Sequence, residues 1–292
     1  FPQGKEKRLK LIQQAAEMGN TPAMMALGRD CEIGYRTEKD VKKAIELFRQ
    51  AADMGNTDAM VKLGDCYMHG NGVSKDKKKA IESYERAADL GAVRAMSILS
   101  NCYMIGDGVP RNKKKAIDCF QRAIDKGNTD AMVELAERLF CGDGIPQDKK
   151  KTIELFQRAA DLGNKDAMVR LGECYEKGDV VPQGIEKATE LYQQAAVMGD
   201  CRQLFDFSVR LMKGKGIRQN KEKAVKLFQQ LVGMDNTRAM VQLGDLYTKG
   251  DSVPRNKNKA IELYQQAADL DDSDAMIRLA FCLKDGDGVE KD

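Results

Sequence analysis

The sequence predicts an all-α protein built from 36-residue helix-turn-helix repeats, and three observations carry the prediction. The first is composition. Of 292 residues, 48 are basic and 45 acidic, leaving a net charge of +3, while 42% are hydrophobic and Trp is absent. No uncharged stretch approaches the roughly 20 residues of a membrane span. The apolar content and only six prolines argue against disordered or collagen-like chains, and abundant Ala, Leu, Met, Lys, Glu and Gln favour helix. The second is a period. Ala-Met recurs at Ala23, Ala59, Ala95, Ala131, Ala167, Ala239 and Ala275, always at multiples of 36, and Gln203-Leu204 fills the one empty place in frame. The third is that each period holds two apolar runs of helical spacing, separated by a Gly-rich turn.

The elements follow in order within residues 58–90. In the first helix Ala59, Leu63 and Tyr67 recur at i, i+4 and i+8, with Met60 and Gly64 beside them, and predict one broad buried stripe. Small Gly64, Gly172 and Gly244 predict close approach of a neighbouring helix. Each following loop begins with Gly (Gly34, Gly70, Gly106, Gly142, Gly178, Gly214, Gly250, Gly286), a residue free to take the positive φ that ends a helix. An apolar turn residue (Val73, Val109, Ile145, Val181, Ile217, Val253) is expected to plug the gap between helices. Asp40, Asp76, Asn112, Asp148, Asn220 and Asn256 stand where the second helix needs an N-cap, with Gly184 the weak one. The second helix carries Ala80, Ile81, Tyr84, Ala87 and Ala88 on one face and ends at Gly91 or its equivalents Gly55, Gly127, Gly163 and Gly199. Asp235 and Asp271 replace that Gly and predict less comfortable ends. The expected organisation is one array over residues 1–292: a partial unit 1–22, units 23–58, 59–94, 95–130, 131–166, 167–202, 203–238 and 239–274, and a partial unit 275–292.

The string Ala-Met-Val-Lys-Leu-Gly-Asp-Cys-Tyr-Met-His-Gly-Asn-Gly-Val, followed by Lys-Ala-Ile-Glu-Ser-Tyr-Glu-Arg-Ala-Ala-Asp-Leu-Gly, resembles the Sel1-like repeat family, relatives of the tetratricopeptide repeats. The resemblance implies a right-handed αα-superhelix whose first helices line a concave side, and a role as adaptor or scaffold for other proteins. It implies no reaction and no particular ligand. The chain departs from the pattern at Gly34-Tyr35-Arg36-Thr37 and at residues 201–211, where Gln203, Phe205 and Phe207 replace smaller residues. That segment is expected either to distort the array or to form a local recognition feature, the structural reading being favoured.

Chemical sites are weighed against plainer roles. The cysteines at 31, 66, 102, 119, 141, 174, 201 and 282 show no zinc spacing, and equivalent positions in stacked repeats lie too far apart for disulfides. They read as reduced core thiols, with Cys102 and Cys119 the one pairing to check. A cysteine-rich secreted branch of the family pairs two cysteines within each repeat, a pattern this chain lacks. His69 has no partner for acid-base catalysis, and Gly-Asp-Gly at 106–108 and 142–144 fits neither a phosphate loop nor a calcium loop. Lysine runs at 77–79, 113–115 and 149–151 could form a basic ridge, but acidic residues follow them and stacking aromatics are few, so nucleic acid is not the expected partner. The Met stripe (Met24, Met60, Met96, Met132, Met168, Met240, Met276) reads as core.

What remains is the first-helix face turned from the core: Lys62, Asp65 and His69, then Ile98, Asn101 and Ile105, then Glu134, Glu137 and Cys141, then Arg170, Glu173 and Lys177. These places differ most between repeats and are the expected partner-binding residues. The best surface is expected where Ile98 and Ile105 point outward, flanked by Met104 and Phe140. The expected function is a non-catalytic scaffold binding a protein or peptide in the groove lined by first helices. The alternative is a regulatory or substrate-docking arm of a larger enzyme or ubiquitin-ligase-type complex. No enzyme activity, cofactor or metal is expected. Unpaired cysteines, no visible signal peptide and the absence of Asn-x-Ser/Thr point to the cytoplasm.

Overall fold

The computed structural model describes residues 2–35 and 37–285, and among these it contains α-helices and no strand. Sixteen helices alternate as first and second members of successive pairs: α1 (Pro2–Glu17), α2 (Thr21–Ile33), α3 (Val41–Asp53), α4 (Thr57–His69), α5 (Lys77–Asp89), α6 (Val93–Ile105), α7 (Lys113–Asp125), α8 (Thr129–Cys141), α9 (Lys149–Asp161), α10 (Lys165–Lys177), α11 (Ile185–Val197), α12 (Cys201–Lys213), α13 (Lys221–Val232), α14 (Thr237–Lys249), α15 (Lys257–Asp269) and α16 (Ser273–Asp285). The chain forms two compact units, residues 1–152 and 153–292. In both, each helix packs on its chain neighbours, the behaviour of a stacked repeat.

Local chemistry fixes the ends of each helix. The Asp76 carboxylate accepts the backbone N–H of Lys79 at 3.1 Å, and Asn112 and Asp148 do the same at the starts of α7 and α9. Gly184 provides no side-chain cap to α11, as its residue type dictates. Caps on the first helices went unread in the sequence: Asn56, Asn128, Asn164 and Asn236 each accept the N–H of the Ala of Ala-Met. The loop inside each pair is closed by one recurring backbone bond, as from Asp76 N–H to Tyr67 carbonyl at 2.9 Å and from Asn256 N–H to Tyr247 carbonyl at 3.0 Å. The loop glycines from Gly34 to Gly250 lie at φ between +69° and +84°, while Gly286 falls outside the described residues. Asp235 and Asp271 do take left-handed backbone, at φ +56° and +63°.

Packing is tightest where a first-helix glycine faces a second-helix aromatic. A methyl placed on Gly172 would sit 2.7 Å from the Tyr192 ring, and one on Gly244 2.5 Å from Tyr264. Gly64 faces Tyr84 in the same way. This confirms the close approach expected of those glycines.

Several expectations need correction. Ile145 and Ile217 are buried in their turns, but Val73, Val109, Val181 and Val253 are only half-buried. Tyr67 is half-buried rather than core, and Lys79 lies over its ring at 5.8 Å. The same lysine-on-tyrosine contact recurs at Lys115–Tyr103, Lys187–Tyr175 and Lys259–Tyr247. The first lysine of a run instead pairs with the loop of the next repeat, as Lys221 does with Asp251 at 2.8 Å and Lys77 with Asp107. Lys77, Lys79 and Lys115 of the ridge are thereby tied down. Met276 is exposed, unlike the six other methionines of its stripe. Met104 is buried at 1% exposure and does not flank an outer surface.

The irregular unit is absorbed without distortion. α12 has the same 13 residues as its counterparts, with Phe205 and Phe207 both buried. Phe207 packs on Tyr192 at 5.1 Å between ring centroids and Phe205 on Phe228 at 5.8 Å. Larger rings fill volume that Val and Leu fill elsewhere, and neighbouring side chains accommodate them.

Candidate protein-binding face

The first helices present a narrow outer face, because packing on both sides leaves few positions uncovered. In α4, Ala59, Met60, Val61, Leu63, Gly64, Cys66 and Met68 are all buried. The predicted residues divide accordingly into struts and free positions. Lys62 is half-buried and paired with Glu32 of the preceding repeat at 2.9 Å. Asp65 accepts the Tyr84 hydroxyl at 2.8 Å and the Arg94 guanidinium at 3.1 Å. Asn101 accepts from Arg138 at 2.8 Å, and the same guanidinium reaches Glu134 at 3.3 Å. Glu137 is half-buried, and Arg170 pairs with Glu173 at 3.6 Å.

The last position of the set is exposed in every case: His69, Ile105, Cys141 and Lys177. The His69 ring donates from Nδ1 to the Asp65 carbonyl at 2.9 Å, so it is held along its own helix. Ile105 is 67% exposed, whereas Ile98 is half-buried between helices. The two isoleucines therefore do not form one outward pair.

In the second unit the same face opens into a cleft of about 270 Å³ bordered by α12, α14 and α16. Half of its lining falls at repeat equivalents of the predicted positions: Asp206, Gln242 and Arg278 correspond to Lys62, Val209 to Asp65, and Lys213 to His69. Stepping the expected set forward by the 36-residue period would have found them. Arg238 lies over the Phe205 ring at 4.2 Å and contacts Asp206 at 3.5 Å. Arg278 donates to Asp245, which also accepts the Tyr264 hydroxyl at 2.8 Å.

A buried charge network between repeats also went unread. Glu176, 6% exposed, accepts Arg210 Nε at 2.6 Å, Arg210 Nη2 at 2.8 Å and the Tyr192 hydroxyl at 2.9 Å. It stands where other repeats have Met68, Met104 and Met212, and Arg210 where they have Cys66, Cys102 and Cys174. Burial opposes the charge of Arg210, but its bonds to Glu176 outweigh this and hold it above its ordinary value. Burial, reinforced by Glu176, pushes Tyr192 up. Each has a like residue at the same place of another repeat, Glu32 and Arg138, so neither stood out alone.

The cysteines are free thiols, Cys102 and Cys119 included. Burial pushes Cys66, Cys102 and Cys174 up to about 11, the opposite of an activated nucleophile. Among the described residues no cluster of His, Cys, Asp and Glu could hold a metal ion, and no helix is long and apolar enough to cross a membrane.

The Sel1 repeat model matches residues 21–56, 57–91, 93–128, 129–164, 165–200, 204–232, 237–272 and 273–292. The chain belongs to the Sel1 repeat family. Its shortest internal match, 204–232, is the unit whose first helix begins out of pattern. Among solved structures, this Sel1 repeat chain is similar to a protective antigen of uropathogenic Escherichia coli displaying an SLR fold, with 30% identity and a TM-score of 0.67 over 97% of the chain. It spans 61% of that antigen's length. It is also similar to a Sel1 repeat protein from Oxalobacter formigenes, with 26% identity and a TM-score of 0.60, covering 94% of this chain and 80% of that one. No curated protein matches the chain. Sel1 repeat proteins generally mediate protein–protein interactions, and their scaffold is generally non-catalytic.

Proposed function

We propose that this protein is a non-catalytic scaffold or adaptor that binds a protein or peptide segment along the outer face of its first helices. The observation that carries the reading is the cleft bordered by α12, α14 and α16, half of whose lining comes from that face. Caps, glycine–aromatic contacts and turn bonds repeat with the period, whereas the exposed end of this face changes from His69 to Ile105, Cys141 and Lys177. A fixed frame with one variable, accessible strip is what a selective binding surface requires. The repeats are read as one array over residues 1–292, supported by eight family matches along the chain. A reducing, cytoplasmic location accords with unpaired cysteines, most of them buried.

The test places a photo-crosslinking amino acid at Ile105 or Val209 and, as a control, at the exposed Glu82 of α5. In cells, a discrete adduct with one protein is expected from the first two positions and none from the third. Adducts confined to Glu82 would refute the assignment of the face. Ile105→Asp should weaken that adduct without lowering the melting temperature. The alternative, a regulatory or substrate-docking arm of a larger enzyme or ubiquitin-ligase-type complex, predicts that the same face is used.

A further inference from the structure

Lys177, Lys213 and Lys249 occupy the same place in consecutive repeats, each in the last turn of a first helix, and all three are exposed. None makes an ion pair among the described residues. The loop acid Asp251 is held by Lys221 at 2.8 Å and also feels Lys249, while the corresponding place is Asp179 after Lys177 and Lys215 after Lys213. In the first unit the same places are Ile33, His69, Ile105 and Cys141. A row of three cations that make no ion pair is therefore particular to the second unit.

The middle member of the row, Lys213, lines the cleft. Other charges there are mostly satisfied: Asp206 contacts Arg238, Arg278 is held by Asp245, and Asp272 caps α16 by accepting the Ala275 N–H at 3.0 Å. Asp274, in the first turn of α16, is the remaining carboxylate and sets the end from which an anionic occupant is repelled. Val209 and Val241 give the same cleft apolar lining.

We infer that this face takes an extended acidic segment of a partner protein, its carboxylates on Lys177, Lys213 and Lys249 and an apolar side chain between Val209 and Val241. The inference rests on the first-helix face being the binding surface. The segment should carry acidic residues spaced to reach successive first helices, with apolar residues between them. Exposed pairs of this kind are salt-screened.

The probe is a fluorescein-labelled peptide of repeated Glu-Leu-Ser triplets, read by anisotropy against the whole chain at low and at physiological salt. Saturable binding is expected, weakened about tenfold or more by the combined Lys177→Gln, Lys213→Gln and Lys249→Gln change. The same charge removed elsewhere, by Lys42→Gln, Lys78→Gln and Lys114→Gln on the second helices, should change binding less than about twofold. Circular dichroism checks that both variants stay folded. Equal losses in the two variants, no binding of the acidic peptide, or equal binding of single-stranded DNA would each overturn the inference. Equal affinity for a Gln-Leu-Ser peptide would overturn the acidic assignment while leaving the face as the binding surface. Crosslinks confined to Glu82 would instead remove the face itself.

Discussion

The network of Glu176, Arg210 and Tyr192 offers a sharp energetic test, because the chain itself contains the apolar alternative. Arg210→Cys installs the residue found at 66, 102 and 174, and Glu176→Met the residue found at 68, 104 and 212. With Arg210 gone, a carboxylate whose side chain is 8% exposed keeps only the Tyr192 hydroxyl. Breaking a buried pair in this way costs about 3 kcal/mol. With Glu176 gone instead, the Arg210 side chain, 32% exposed, turns to water, and the loss should be about 1–2 kcal/mol. The double variant restores the apolar pattern and should cost no more than about 1 kcal/mol, giving a coupling of roughly 3–5 kcal/mol. The assay is urea unfolding followed by circular dichroism, comparing only variants with unchanged m, since a repeat chain can lose two-state behaviour. A loss below about 1 kcal/mol for Arg210→Cys, or a double variant equal to the sum of the singles, would refute the account.

Other predictions concern the repeat frame. Gly172→Ala should cost about 1–3 kcal/mol by forcing a methyl against Tyr192, visible as a lower urea midpoint. Asp271→Gly should stabilise by about 1 kcal/mol, since it relieves a left-handed backbone at φ +63°; an unchanged or lower melting temperature would count against strain there. The thiols of Cys66, Cys102 and Cys174 are raised by burial from an ordinary 9.0 to about 11. Their contribution is therefore fully present below about pH 9 and is lost as the pH rises through about 11, because the unfolded thiols ionise first. Urea midpoints should fall across that window, and less steeply when the three are replaced by Ala.

The sequence by itself determined the repeat frame. A period of 36, Ala-Met at a fixed place, Gly where backbone must be left-handed and Asp or Asn where a helix must start are local demands. Each is met by residues a few positions apart, so each is legible in one dimension. Even the strained ends at Asp235 and Asp271 could be read that way. Exposure could not. A helical wheel distinguishes two faces, but a first helix here is covered by its own partner and by adjoining repeats. Thus Asp65 became a strut between Tyr84 and Arg94, Ile98 lost its outward place, and Met104 went into the core. Glu176 and Arg210, unremarkable separately, meet only because stacking brings positions 34 residues apart within 2.6 Å. The cleft beside Phe205 was likewise decided by tertiary packing, since its lining comes from three helices that only stacking places side by side.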